Sequence, residues 1–536
     1  MQRVGRSPPN ALHMWAACVL IALVFAVAAA AQAVPDDITA RIKKEATTGS
    51  QVVDDIFRLT DAIGPRSTGS PSLHAAERWL VERLQGYGLQ HVRVESNPPM
   101  DVGGGLLLEP PGWSSSRMTV QQLSPWQDTL IAVPLLYSPP TPGMVSGELI
   151  VAPLPGPSAA DIASFKDRYR GHLRGRFMLS SDKELRIPPA TGPSFHRYTA
   201  EELHEMSNAS PSVPPPAPQS STNQPQRTPP RVQDMLDQQS LLFDFLRDEG
   251  VLGVVGAARG EGGTLFLRPP PTPPKLTSAP PPMFDLAPEH FNRLLRLALR
   301  NVPVRLEVRL DSQFHEPAGT ENILGEIPGG DKADEVVLVG AHVDSWHGGT
   351  GATDNAAGVA AVLEAVRILT TLKVPLRRTV RIAFWGGEEL GRIGSRGYVA
   401  RYLIGPTGTR LPECDKLSAY LNIDYGSGRI RGIYLQGNTP LKPLFEPWLS
   451  DLGDGGLVAT LRSTLGSDQA SFERVGIPGL SFIQDPLNYE QRTHHTNMDH
   501  PDYVLADDVA DSAATIAALI YRIASAPTML PRKAAQ

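Results

Sequence analysis

Apolar residues along this chain change their spacing near residue 322, and the change divides the chain into two kinds of text. Upstream, residues 54–63 and 73–89 carry apolar positions at near-helical spacing, with Gly64-Pro65 and Gly69-Ser70-Pro71 as breaks. Short apolar runs at 130–136 and 148–153 read as strands between proline turns. A helix near 238–248, a strand near 251–257 and an amphipathic helix over 288–299 follow. Downstream, strand and helix alternate. Residues 336–339 form a continuous apolar run, as a strand buried on both faces does. Val359, Val362, Leu363, Val366 and Leu369 then mark one stripe of a helix, and strands are expected at 379–385, 419–423 and 480–483. Such alternation predicts an α/β domain with a largely parallel sheet flanked by helices.

Two segments break the pattern by composition. Residues 212–230 are rich in Pro, Ser, Gln and Thr, and 269–282 form a second proline tract. The whole of 183–231 is expected to be a disordered or loosely packed insertion, because it offers too little apolar surface to offset its ordering entropy. The N-terminus has a different character. Arg3 and Arg6 precede an apolar run over 14–31, and Ala31-Gln32-Ala33 is a small-x-small cleavage site. This predicts a signal peptide over 1–33 and a secreted or periplasmic chain. The alternative is an uncleaved anchor, since the run approaches the roughly 20 residues that span a bilayer. The chain has 536 residues, enough for two or three domains. Its net charge of −6 gives no sign of nucleic-acid binding. Of two cysteines, Cys18 falls in the signal, so Cys414 has no partner for an internal disulfide.

The chemistry concentrates downstream. His342, Asp354, Glu389, Asp424 and His495 are two imidazoles and three carboxylates, donor types that zinc accepts. Several follow the ends of expected strands, where sites form in open α/β sheets. Glu388, beside Glu389, is a spare carboxylate that could serve as a base. Each has a plainer use. Asp354 could cap a helix, the two glutamates could be a solvated turn, and His342 with Asp344 could be a surface pair.

Taken together, His342-Val343-Asp344-Ser345, residues 353–358 (TDNAAG), Gly386-Gly387-Glu388-Glu389, Asn422-Ile423-Asp424 and His494-His495-Thr496 resemble the motifs of the dinuclear-zinc exopeptidases. That family includes secreted leucyl aminopeptidases, glutamate carboxypeptidases and catalytically dead transferrin receptors. In order and spacing the motifs are closest to its plasma glutamate carboxypeptidase branch. The resemblance implies a zinc exopeptidase fold, two Zn2+ ions per chain and peptide substrates. It implies that Asp354 bridges the ions, with His342 and Asp424 completing one site and Glu389 and His495 the other. Glu388 would be the catalytic general base, and His495 rather than His494 the ligand. Asp344 is expected to accept the second imidazole N–H of His342 and so fix its tautomer. His347 is expected to be an exposed loop residue, with pocket lining as the alternative. Asp468 could be structural, and Arg492 could meet a substrate carboxylate.

The resemblance also implies an inserted protease-associated-like domain, carried by residues 147–151 and 250–256. The expected divisions are 34–124 as an N-terminal helical part, 125–290 as the insert and 291–536 as the catalytic domain. The expected activity is exopeptidase, with aminopeptidase favoured over carboxypeptidase or dipeptidase. No membrane association is expected after signal cleavage, and a homodimer is left open. A single-zinc glutaminyl cyclase-like transferase and a binding protein without catalysis are the rival outcomes.

Overall fold

The computed structural model describes residues 36–533, except 102–106, 109–110, 188–194, 212–231, 269–279, 317–318, 453–455 and 465. The expected signal peptide, the polar stretch 212–230 and most of the second proline tract lie outside the described residues.

The downstream half builds one eight-stranded mixed sheet. Its order is Gln90–Ser96, Glu321–Ile327, Arg378–Trp385, Lys332–His342, Leu417–Asn422, Gly479–Gln484, Ile430–Tyr434, Val458–Thr460. The middle four strands run parallel to one another; of the four outer pairings, 90–96 with 321–327, 321–327 with 378–385 and 430–434 with 479–484 are antiparallel, and 430–434 with 458–460 is parallel. The continuous apolar runs have a simple cause. Val337, Val339 and Ala341 pack into one core, and Val336 and Leu338 pack into another on the opposite face. Side chains alternate across a strand, so a strand covered on both sides needs apolar residues at every position. Helices Ala357–Thr371, Ala506–Ser525 and Pro71–Gly86 contribute to the first core. Trp385, Tyr398, Tyr420 and Phe472 fill the second.

A second eight-stranded sheet has the order Asp128–Leu130, Gly112–Ser124, Arg305–His315, Val145–Val151, Arg176–Leu179, Gly253–Ala257, Met283–Leu286, Ala132–Pro134. Its last strand comes back against Gly112–Ser124, so the sheet nearly closes on itself. Helix Pro288–Leu299 packs Phe291, Leu294 and Leu295 into its core.

This architecture corrects the expected divisions. The second sheet begins at Gly112 and ends at His315, not at 125 and 290. The helix at 288–299 therefore belongs to the second domain, and strand Gln90–Ser96 belongs to the main sheet. The two long strands Gly112–Ser124 and Arg305–His315 pair antiparallel and lead into and out of the domain. They are half-buried, so charged residues such as Glu307 and Arg309 alternate with Leu306, Val308 and Leu310. In sequence, both proline tracts fall between Gly112 and His315 rather than at the ends of that span.

The insertion 183–231 is also corrected in part. Residues 200–207 form helix Ala200–Ser207, capped by a Thr199–Glu202 capping box. Leu203 and Met206 are buried against Ile483 of the main sheet, and the Tyr198 N–H donates to Asp485 at 2.9 Å. The segment lacks a core of its own and borrows one from the sheet, which local composition cannot show. Met206→Ala is expected to destabilise the chain by roughly 2–4 kcal/mol, as large-to-small core changes do. Thermal or urea unfolding checks this, and an unchanged midpoint would mean that the segment does not pack.

Candidate metal centre

The four parallel strands point their carboxyl ends at one rim, and the candidate residues stand on it. His342 is the last residue of Lys332–His342, in register with Trp385 of the neighbouring strand. Glu388 and Glu389 follow Trp385 through a turn at Gly387, whose φ of 76° suits glycine. Asp424 follows Leu417–Asn422, and His495 lies in the loop beyond Gly479–Gln484. Asp354 is not a helix cap. It has φ −129° and ψ 84° inside the turn 352–356, and the helix starts only at Ala357.

Two groups form around Asp354. His342 Nε2 lies 3.2 Å from Asp354 Oδ1 and 3.1 Å from Asp424 Oδ1. His495 Nε2 lies 3.2 Å from Asp354 Oδ2 and 3.0 Å from Glu389 Oε2. Each carboxylate oxygen of Asp354 thus faces a different imidazole. Glu388 falls within ligand reach of His342 and Asp424 without joining the Asp354 contacts. His494 is farther out, 3.9 Å from Asp354 Oδ2, stacked on Tyr489 and 3.3 Å from Glu490. Arg492 is half-buried in the turn just before it.

The charges are strongly coupled. Burial alone pulls His342 down, but Asp424, Asp344 and Asp354 outweigh it and hold the imidazole well above its usual range. His495 is likewise opposed by burial, yet Glu389 and Asp354 push it up to about 11. Burial lifts Asp354, and the two histidines overcome it and hold it well below the usual carboxylate range. Burial raises Glu388 well above that range, helped by Asp468, Asp424 and Glu389 and opposed by His342. Asp468 itself is fully buried, and burial together with Asp424 and Asp344 pushes it up to about 7 against Ser395 and His342.

These residues fit a metal. Asp354 Oδ2 and Glu389 Oε1 are buried without a hydrogen bond, so their lone pairs lack the partner a cation would supply. Ligands about 2.0–2.1 Å from a tetrahedral zinc stand about 3.3 Å apart. The nitrogen-to-oxygen distances of 3.0–3.2 Å in both groups are close to that spacing.

The supporting shell departs from expectation. The Nδ1–H of His342 is 3.0 Å from the main-chain carbonyl of Asp344, whereas the Asp344 carboxylate is 3.6 Å away. That carboxylate instead accepts from the main-chain N–H groups of Glu388 and Glu389, at 3.1 and 3.3 Å, and from Thr68 at 2.8 Å. Two acidic side chains are thereby aimed by a third. His347 is not exposed. Its Nε2–H donates to the Pro134 carbonyl at 2.8 Å, its ring packs edge-on against Trp113, and burial pushes it down to about 4. The second domain covers it, which its Gly-rich surroundings did not suggest.

Four further residues shape the site without a sequence signal of their own. Asp499 accepts from the N–H of Thr353 at 2.7 Å and of Asp354 at 3.1 Å, which sets the Asp354 turn. Burial and the Asp354 charge push its carboxyl up to about 7. Arg66, fully buried, donates to the carbonyls of Val343, Leu59, Thr350 and Gly351. Thr68 holds Asp344, as above. Trp346 donates its indole N–H to Glu389 Oε2 at 2.7 Å. Spacing close to the motifs was the available hint: Trp346 stands four residues after His342, and Asp499 four after His495. The second domain reaches the rim too. Residues 263–267 run antiparallel beside the loop after His495, with the Leu267 N–H on the His495 carbonyl at 2.7 Å. Asn497 exchanges hydrogen bonds with Leu265 and Gly263 in the same place.

Trp346→Phe keeps an aromatic side chain and removes the donor to Glu389, together with part of the ring volume. Partners of this kind are typically worth about 10–100-fold in metal affinity or activity. Zinc titration of the variant should show a loss in that range, and wild-type affinity together with wild-type kcat would make the hydrogen bond incidental.

Residues 322–520 match Peptidase family M28. Bovine carboxypeptidase Q is 23% identical over 479 residues, covering 88% of this chain and 85% of that protein. Among solved structures, a peptidase M28 precursor from Shewanella amazonensis superposes with a TM-score of 0.59 at 21% identity, covering 94% of this chain and 99% of that one. A zinc aminopeptidase from Bacillus subtilis superposes with a TM-score of 0.51 at 17% identity, covering 88% and 93%. The two-sheet architecture is shared along nearly the whole chain, and the family match spans the strands and loops that carry the rim. Residues 322–520 therefore form a region of the peptidase family M28 type, a family of zinc-dependent hydrolases.

Proposed function

We propose that this protein is an exported two-zinc exopeptidase that removes residues from the N-terminus of short peptides. The observation that carries the two-metal reading is the division of Asp354, with Oδ1 toward His342 and Oδ2 toward His495. In this reading His342, Asp354 and Asp424 hold one ion, and Asp354, Glu389 and His495 the other. Zinc bound there would supply Lewis acidity for the scissile carbonyl and lower the pKa of a water.

The chain's own residues do the rest. Glu388 takes a proton from the attacking water and returns it to the leaving amine, which a half-buried carboxyl with a raised pKa suits. Asp344 keeps Glu388 and Glu389 pointed to their different tasks by holding both main-chain N–H groups. The loop 263–267 of the second domain walls the His495 side of the rim, which favours short or terminal substrates over internal cleavage. This domain is read as protease-associated-like. Glu490, half exposed and hydrogen-bonded to His494, sets a carboxylate beside the Asp354–His495 group where a substrate ammonium could be held. The name of the Bacillus relative, a zinc aminopeptidase, supports the same choice, while that of the bovine relative supports the carboxypeptidase alternative.

Glu388→Gln should keep both zinc ions and lower kcat by at least about 100-fold, the lower end of general-base contributions. Glu389→Gln should instead weaken zinc binding, because it removes a ligand charge. Metal analysis beside steady-state kinetics separates them, and the opposite pattern would show the two roles reversed.

The function itself is tested by a panel of dipeptides, aminoacyl anilides and N-blocked peptides, with zinc counted on the same sample. Free N-termini should be required for turnover, chelation should abolish it, and zinc should restore it. Turnover of N-blocked peptides with release of the C-terminal residue would replace the aminopeptidase reading by the carboxypeptidase one. Export rests on the pattern of residues 3–33. N-terminal sequencing of the mature chain should then find a start near Val34, and an intact Met1 would refute cleavage.

A further inference from the structure

A second set of metal-type donors lies behind the rim and shares no residue with it. His74 and Glu77 sit on the first turns of helix Pro71–Gly86, and Glu321 opens strand Glu321–Ile327. One donor atom from each lies within 4.8 Å of the others. His74 Nδ1 is 2.7 Å from Glu77 Oε2. Glu77 is 2% exposed, and its other oxygen, Oε1, is buried with no hydrogen-bond partner. The Glu321 carboxylate lies close enough to Glu77 to raise its pKa, adding to burial.

The charge count makes this arrangement costly as it stands. One imidazolium neutralises one carboxylate, and a second carboxylate then faces the first with an oxygen that nothing satisfies. Buried charge of that kind requires a counter-charge or a proton. Arg78, next along the helix, is exposed to solvent. A divalent ion neutralises both carboxylates and fills the empty coordination of Oε1. One imidazole and two carboxylates are a donor set that zinc accepts, with water in the remaining position.

We propose that His74, Glu77 and Glu321 bind an additional divalent cation of the zinc class, which ties the N-terminal helix to the catalytic turn. The tie is direct in the chain. The main chain of Glu321 packs so tightly on Gly386 that a Cβ there would stand 2.4 Å from the Glu321 carbonyl oxygen. Gly386 lies two residues before Glu388. At the helix end, Ser70 caps the helix two residues after Thr68, which holds Asp344. The ion would thus clamp the two segments that aim Glu388 and Glu389, while touching neither.

The test uses the full chain, loaded with excess zinc chloride, desalted and analysed for zinc per chain. H74Q and E321Q should each bind one zinc fewer than the wild type, with folding checked by circular dichroism. A third chain, H342A/D354A/H495A, removes the proposed catalytic set and should still retain one zinc. Equal zinc in the wild type and in a folded H74Q or E321Q chain overturns the proposal and leaves a shared proton as the partner of Glu77. Should neither single variant fold, the triple variant decides, since a chain with no zinc overturns the proposal and a chain with one supports it. This count is independent of peptidase activity, so its failure leaves the reading of the rim untouched.

Discussion

The structure turns on one shared carboxylate. Asp354 faces His342 with one oxygen and His495 with the other, at 3.2 Å in both cases. It can do so only because its backbone leaves the helix that follows it and takes an extended conformation at the rim. Asp424 and Glu389 complete the two groups, and Glu388 stands beside them. So many acids brought together out of water repel one another, and burial adds to the cost of each charge. The two imidazoles offset part of it, and zinc, in the proposed reading, offsets the rest. In that reading the rim is a place where folding accepts instability for the sake of a cation site.

Such a site needs a rigid frame, and the frame is built from main-chain hydrogen bonds to buried side chains. Asp344 holds the N–H groups of Glu388 and Glu389, Asp499 holds those of Thr353 and Asp354, and Arg66 gathers the carbonyls of Leu59, Gly64, Val343, Thr350 and Gly351. A ligand displaced by an ångström binds poorly, so these groups determine how well the metal-type donors can act. The second domain is part of the frame, through the strand-like pairing of 263–267 with the His495 loop and the His347–Pro134 hydrogen bond. It should be regarded as a wall of the site.

Most of the downstream α/β pattern could be read directly from the chain. Strands Arg378–Trp385 and Gly479–Gln484 and helix Ala357–Thr371 lie where apolar spacing put them, because both faces of the sheet are covered and every position is constrained. The second sheet was harder. Its long strands Gly112–Ser124 and Arg305–His315 pair across nearly two hundred residues and expose one edge of their pattern, so local spacing is weak. Helix Ala200–Ser207 was missed because its partner, Ile483, lies far along the chain.

The sequence alone determined which residues are the candidates for the chemistry of the proposed site. His342, Asp354, Glu388, Glu389, Asp424 and His495 stand in short motifs whose donor types and positions after strands are local properties. Tertiary structure decided what serves them. Whether Asp344 offers its carbonyl or its carboxylate to His342 depends on where Thr68 and the 388–389 turn come to rest. Whether His347 is exposed depends on a carbonyl of another domain. Donor identity is written residue by residue. Hydrogen-bond partnership is a matter of three-dimensional proximity, and residues distant in sequence acquire it only when the sheet assembles.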